Sequence, residues 1–134
     1  MRMGITFTDR FDLTKSRLEV AMKAALFAAA NVVRNEIKRG LRGGYTSGAF
    51  VTGNSLNKVV ITEPVFTGWR GEISVASAQE NPPYPLYWEL GHYNIFTRKY
   101  ERVEIWVPAF HRTQPQAIAA YARAFRAAVA GGAA

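Results

Sequence analysis

The chain has 134 residues and no cysteine; 49% of its residues are hydrophobic and 20% are charged. That length accommodates one domain with a substantial core, and the composition is typical of a folded protein rather than a disordered one. Disulfides and thiolate metal sites are excluded, and no apolar run reaches the roughly 20 residues that a membrane span requires. The charged N-terminal stretch MRMGITFTDRFD lacks the apolar run of a signal peptide, so we expect no export.

The net charge of +7 raises the hypothesis of nucleic-acid binding, because Lys and Arg neutralise phosphates. The cations are spread along the chain, and the only close cluster is Arg34, Lys38, Arg39 and Arg42. Such a cluster more often marks the C-terminal end of a helix, where cations interact favourably with the helix dipole. A small basic nucleic-acid-binding domain is therefore an alternative rather than the first interpretation.

A long amphipathic helix is predicted for residues 12–39, since apolar residues recur there every three to four positions. Asp12 or Thr14 is a suitable N-cap, and Gly40 together with Gly43 and Gly44 is predicted to end the helix. About 28 residues at 1.5 Å each make a rod of roughly 42 Å. This is long for so small a domain, so we expect part of the helix to overhang and to need a partner. Residues 40–54, which are polar and rich in glycine, are predicted to form a loop.

Three strands are predicted next. Residues 56–62 and 69–77 form a hairpin whose turn lies between Glu63-Pro64 and Thr67-Gly68, and the second strand alternates apolar and polar residues. Residues 102–107 alternate in the same way and are predicted to be a third strand that ends at Pro108. The residues between 92 and 100 are predicted to be a loop.

A C-terminal helix is predicted for residues 113–130, with Thr113 as its N-cap and Pro115 in its first turn. Its apolar stripe is Ile118, Tyr121, Phe125 and Val129. The order of elements predicts a single α+β domain over residues 1–134. In that domain a long N-terminal helix and the C-terminal helix pack on the same face of a small antiparallel sheet of about three to four strands.

Residues 84–110 form an aromatic segment, which is typical of a core anchor or of an interface. Glu89 lies in it beside Trp88 and Leu90, where an unpaired carboxylate is costly. Two interpretations stay open: an ion pair with Arg98 or Arg102, or exposure at a helix end.

Catalytic chemistry finds no positive support in the sequence. His92 and His111 each stand alone, and Gly91 interrupts any helix that would align Glu89 with His92. No spacing typical of metal ligands occurs, and no nucleophile-elbow motif is present. We therefore predict no catalytic residue, no metal and no cofactor. A small hydrolase that uses His92 or His111 is kept as a further hypothesis.

Three segments together resemble the head–tail joining and tail-completion proteins of siphovirus-type bacteriophages, the neck or minor tail component family. Residues 52–56, TGNSL, approximate the family's T-G-x-L entry to a strand. Tyr84 and Tyr87 with the following ELG, residues 89–91, resemble its Y-x-x-x-x-E-x-G-T motif. The segment WVPAF, residues 106–110, resembles its R-P-F-x-x-P-A motif. The match runs from about residue 12 to 129, with His92 where the family has Thr, Val107 near the R-P-F position and a different segment at 93–102.

The resemblance implies a non-enzymatic structural subunit of a tailed phage that assembles in the bacterial cytoplasm and resides in the virion at the head–tail junction. It implies a homo-oligomeric ring that contacts neighbouring head-completion and tail proteins, surrounds the channel that DNA crosses and has no membrane partner. Contact with that DNA and a role as the tail terminator of the same assembly are left open. A ring requires two different, complementary surfaces on each subunit. The candidate interface or fold-specifying residues are Tyr87, Trp88, Glu89, Gly91, Trp106, Pro108 and Phe110, with core packing as the alternative for each aromatic residue.

Overall fold

The computed structural model describes residues 2–8, 15–42, 57–68, 70–78, 89–94, 98–102 and 104–132. The elements, in chain order, are β1 (Arg2–Thr8), α1 (Lys15–Arg42), β2 (Val59–Ile61), β3 (Val65–Thr67), β4 (Arg70–Ser77), β5 (His92–Asn94), β6 (Lys99–Glu101) and α2 (Trp106–Gly132). The predicted α+β class is confirmed: two helices accompany a small antiparallel sheet of four strands, β1 to β4.

Strand β4 is the centre of the four-stranded sheet. On one side it pairs with β1, and on the other side it pairs with β2 and β3. The antiparallel pairing of β2 with β4 confirms the predicted hairpin, but the predicted turn is wrong, because residues 65–67 within it form β3. β2 and β3 form a single strand broken near Thr62, whose side-chain oxygen accepts the main-chain N–H of Ser74 at 3.2 Å. Gly68 follows β3 with a φ of 60° that favours glycine. β1 was not predicted, because its pairing partner lies about 70 residues away in the sequence.

Helix α1 is the buried centre of the molecule. Its apolar face packs between the sheet and α2, and its fully buried large side chains are Leu18, Met22, Leu26, Val33, Ile37 and Leu41. The chain itself covers the helix from Leu18 to Leu41, so the expected overhang is not seen. The helix runs through Gly40 and ends at Arg42, directly before Gly43 in the sequence, so Gly40 is not its end. The predicted N-caps Asp12 and Thr14, and Gly43 and Gly44, lie outside the described residues. Gly40 has another role: a Cβ there would lie 2.8 Å from Cγ2 of Ile105, so glycine permits this close approach.

Helix α2 begins seven residues earlier than predicted. Trp106 is its first residue, so both the predicted strand at 102–107 and the predicted helix start at Thr113 are wrong. Pro108 lies in the first turn, where a helix needs no main-chain donor. Thr113 is not a cap: its hydroxyl donates to the Ala109 carbonyl oxygen at 2.7 Å inside the helix. Of the predicted stripe, Tyr121 and Phe125 are buried, whereas Ile118 is 52% exposed.

The two helices are antiparallel neighbours. Glu36 of α1 contacts Arg112 of α2, and Gly40, one turn further along α1, contacts Ile105, which precedes α2. Four alanines of α1 are buried along the helix before this point: Ala21, Ala25, Ala29 and Ala30. The C-terminal end of α1 and the N-terminal end of α2 therefore lie at the same end of the molecule.

The segment before α2 is not the predicted loop. β5 and β6 pair as an antiparallel two-stranded sheet in the register His92 to Glu101, Tyr93 to Tyr100 and Asn94 to Lys99. This sheet is separate from the four-stranded one. We call the described residues 89–94 and 98–102 the ribbon. Among the residues that the structure describes, neither helix is long and apolar enough to cross a bilayer.

Candidate functional site

Glu89 connects the ribbon to the body of the protein. Its side chain is only 4% exposed, and its Oε1 accepts hydrogen bonds from the main-chain N–H groups of Ile105 and Trp106. The first N–H groups of a helix have no partner within the helix, and they form its positive end. The Glu89 carboxylate thus caps α2 from 17 residues upstream. The predicted ion pair with Arg98 or Arg102 is wrong, and so is the predicted exposure.

The base of the ribbon is held by two further hydrogen bonds. Arg102 Nε donates to the main-chain oxygen of Glu89 at 2.9 Å, and the Tyr100 hydroxyl donates to the Leu90 carbonyl at 2.9 Å. Gly91 adopts a φ of 89°, and a Cβ at this position would lie 2.2 Å from the Tyr100 hydroxyl oxygen. Only glycine fits there, because both the backbone conformation and the Tyr100 ring exclude a side chain.

Three large apolar or aromatic side chains of the ribbon are exposed. Leu90 is 64% exposed, and Tyr93 and Tyr100, which face each other across the strands, are 60% and 65% exposed. An isolated two-stranded ribbon is marginally stable in water. Here the hydrogen bonds at its base hold these side chains in place on the surface. Exposed Tyr on a fixed backbone is typical of protein–protein interfaces, because its large contact area costs little conformational entropy on binding.

The structure brings Glu89, Gly91 and Trp106 together at the base of the ribbon. Trp106 is fully buried and belongs to the core, while Pro108 and Phe110 are half-buried on α2. Tyr87 and Trp88 lie outside the described residues. The predicted set omitted Tyr93 and Tyr100. Each of the two tyrosines has a polar residue on either side, as in a half-exposed strand, but so short a pattern does not distinguish a strand from the predicted loop.

A shallow groove of about 220 Å³ lies between β1 and α2. It is lined by Gly4, Ile5, Val33, Phe110, Gln114, Ala117 and Ile118. No carboxylate or histidine lines it, so the groove lacks an acid or base for hydrolysis. His111 is exposed on α2 and packs edge-on against Phe110. In the described part of the chain, no three His, Asp or Glu side chains come together as metal ligands.

Glu36 is the main electrostatic contact between the helices. Its carboxylate accepts hydrogen bonds from Arg39 at 3.0 Å, on the same helix, and from Arg112 of α2 at 3.0 Å. The hydrogen bond from Arg39, assisted by that from Arg112 and opposed by burial, lowers the pKa of Glu36 from its ordinary value of 4.5 to about 2. Glu36 therefore stays ionised at neutral pH and ties α2 to α1.

Comparisons with models of known families, with curated proteins and with solved structures gave no match to this chain.

Proposed function

We propose that this protein is a non-enzymatic structural subunit that assembles into a ring at the head–tail junction of a tailed bacteriophage. The motif resemblance supports the phage assignment. The observation that carries the assembly role is the ribbon, which presents Leu90, Tyr93 and Tyr100 to solvent on a backbone that Glu89 anchors. Large exposed aromatic side chains on a fixed backbone are costly for an isolated protein and useful at an interface.

Self-association of the purified chain tests the assembly role. The wild type is expected to form discrete oligomers as its concentration rises, measured by light scattering. Leu90→Ser combined with Tyr93→Ser removes apolar contact area from the ribbon and should raise the required concentration about tenfold or more, since a central interface residue contributes about 2 kcal/mol. Val20→Ser combined with Ile118→Ser is the matched control, because these residues are also exposed but lie on the helices.

Equal effects of the two double variants would contradict the assignment of the interface to the ribbon. The position in the virion is tested separately, by electron microscopy of the encoding phage labelled with an antibody against this chain. Label at the head–tail junction is the expected result. A chain that stays monomeric at millimolar concentration, together with particles that carry no label there, would overturn the proposal.

A further inference from the structure

The fold concentrates positive charge at one end of the molecule. Residues 34–42 and 89–112 are 33 of the 134 residues, yet they contain eight of the 17 Lys and Arg residues and four of the ten carboxylates. They thus carry a formal charge of +4 out of +7. In the sequence these cations are in separate segments. The antiparallel packing of α1 and α2 places the segments at the same end, through the contacts of Gly40 with Ile105 and of Glu36 with Arg112.

We define the basic end by six cations: Lys38, Arg39, Arg98, Lys99, Arg102 and Arg112. Arg34, which is also described, is left out because it donates to Asn31 along α1. Arg39, Arg102 and Arg112 are more than half exposed. Arg98 and Lys99 are exposed near the tip of the ribbon. Lys99 is six residues from Ile105, so it lies at most about 22 Å from the Gly40 contact. The cations of the ribbon and of both helices therefore lie at the same end of the molecule, within roughly 25 Å of that contact.

The carboxylates of this region leave part of the charge uncompensated. Glu36 is shared between Arg39 and Arg112, and Glu104 pairs with Arg102. Glu89 is buried against the start of α2. Among the residues with described side chains, Lys38, Arg98 and Lys99 pair with no carboxylate. Two or more cations are thus free to meet an external anion.

We infer that the basic end binds the phosphate backbone of double-stranded DNA. Duplex DNA carries one charge per 1.7 Å of its axis, so a length of roughly 20 Å carries about 12 phosphate charges, of which a protein on one side faces a part. The Lys and Arg residues of the basic end come from α1, the ribbon and α2. Cations spread over three elements can contact several phosphates of a duplex at once. The choice of duplex DNA as the ligand rests on the proposed function, in which a DNA channel runs through the ring. The charge distribution itself does not depend on that proposal.

The test is fluorescence anisotropy of a labelled 20-base-pair duplex over a series of salt concentrations. Wild type should bind, and its affinity should fall steeply as salt rises, because cations that contact phosphates release counterions. Lys38→Gln combined with Lys99→Gln removes two charges without breaking an ion pair. This variant should bind about tenfold or more weakly at 0.1 M salt, and its log–log salt slope should be smaller by about 1.8.

Arg123→Gln combined with Arg126→Gln is the matched control. Both residues are exposed on α2, at least 11 residues and about 17 Å beyond Arg112, so the same charge is removed outside the basic end. With a screening length of about 10 Å at 0.1 M salt, its affinity should stay within about twofold of wild type. Equal loss in both variants, tighter binding of a single strand than of the duplex, or no binding at low salt would overturn the inference. Light scattering on the same samples measures assembly separately. A failure of DNA binding can therefore be distinguished from a failure of ring formation.

Discussion

Glu89 and Gly91 fix the position of the ribbon relative to the rest of the fold. Glu89 supplies a carboxylate to the N–H groups of Ile105 and Trp106, and Gly91 supplies a backbone conformation with a φ of 89°. Both residues belong to the short sequence ELG, residues 89–91. The structure gives this short sequence a physical role: the acid caps a helix that starts after the ribbon, and the glycine makes room for the Tyr100 ring.

Glu89→Ala is expected to destabilise the protein by about 3 kcal/mol, because two buried N–H groups lose their acceptor. Glu89→Gln keeps an oxygen acceptor and should cost less than Glu89→Ala. Urea unfolding followed by circular dichroism measures both. Glu63→Gln is the control, because that side chain is 85% exposed and its contact with Lys23 is long, at 3.9 Å. Its expected cost is below about 1 kcal/mol. Stability of Glu89→Ala equal to that of the control would show that the cap is unimportant.

Gly91→Ala is expected to disturb the ribbon more than the core. The new Cβ meets the Tyr100 ring, and the positive φ adds about 1–3 kcal/mol of strain. Hydrogen exchange should therefore show faster exchange of the β5 and β6 amides, while the amides of α1 keep their protection. Gly131→Ala is the control, since a Cβ at Gly131 meets no atom within 4 Å. Unchanged exchange in the ribbon of Gly91→Ala would contradict this account.

At the level of elements, the contact between α1 and α2 organises the fold. Glu36 makes a charged contact with Arg112 across the two helices, and Gly40 lies against Ile105 at the same end. The same contact sets where the basic end forms, because it fixes the direction of α2 relative to α1. The sheet covers the other side of α1, where a Cβ at Gly71 of β4 would lie 3.0 Å from Cδ1 of Leu26 and 3.1 Å from Cε of Met22, a tight approach.

The Glu36 contact predicts a dependence of stability on pH. The folded-state pKa, about 2, is below the unfolded value near 4.5, so the ionised carboxylate stabilises the fold above pH 4.5. That contribution should disappear as the pH falls from 4.5 through about 2. Because both arginines are exposed, we expect about 1 kcal/mol or less. Thermal unfolding of wild type and Glu36→Gln across this range should give a difference at pH 7 that vanishes near pH 2. A stability difference that stays constant down to pH 2 would show that the charge of Glu36 does not contribute to the stability of the fold.

At the level of the whole molecule, two surfaces meet at one end. The ribbon presents exposed apolar and aromatic side chains, and the basic end continues from it onto both helices. In a ring, such an arrangement would place subunit contacts and DNA contacts next to each other. The proposed experiments separate the two roles, because one pair of variants changes apolar side chains and the other changes charged ones.

Elements with a periodic pattern of their own can be predicted from the amino-acid sequence. The three-to-four periodicity of α1 and the alternation of β4 both predicted elements that the structure contains, and their order predicted the α+β class. The helical pattern from Ile118 to Val129 likewise predicted most of α2. These patterns can be recognised in the sequence because each repeats within one element, where most of the periodic apolar residues lie on the buried face.

Features that depend on contacts between residues far apart in the sequence follow from the tertiary structure alone. β1 forms because β4 pairs with it from about 70 residues away, and α2 begins at Trp106 because Glu89 caps it. The alternation at residues 102–107 predicted a strand, but a short alternating run does not reveal which acceptor will satisfy its N–H groups. The basic end likewise appears only when the packing of α1 against α2 joins cations that are far apart in the chain. Hydrogen bonds and charges act through space, so their partners are set by the fold and not by neighbouring residues.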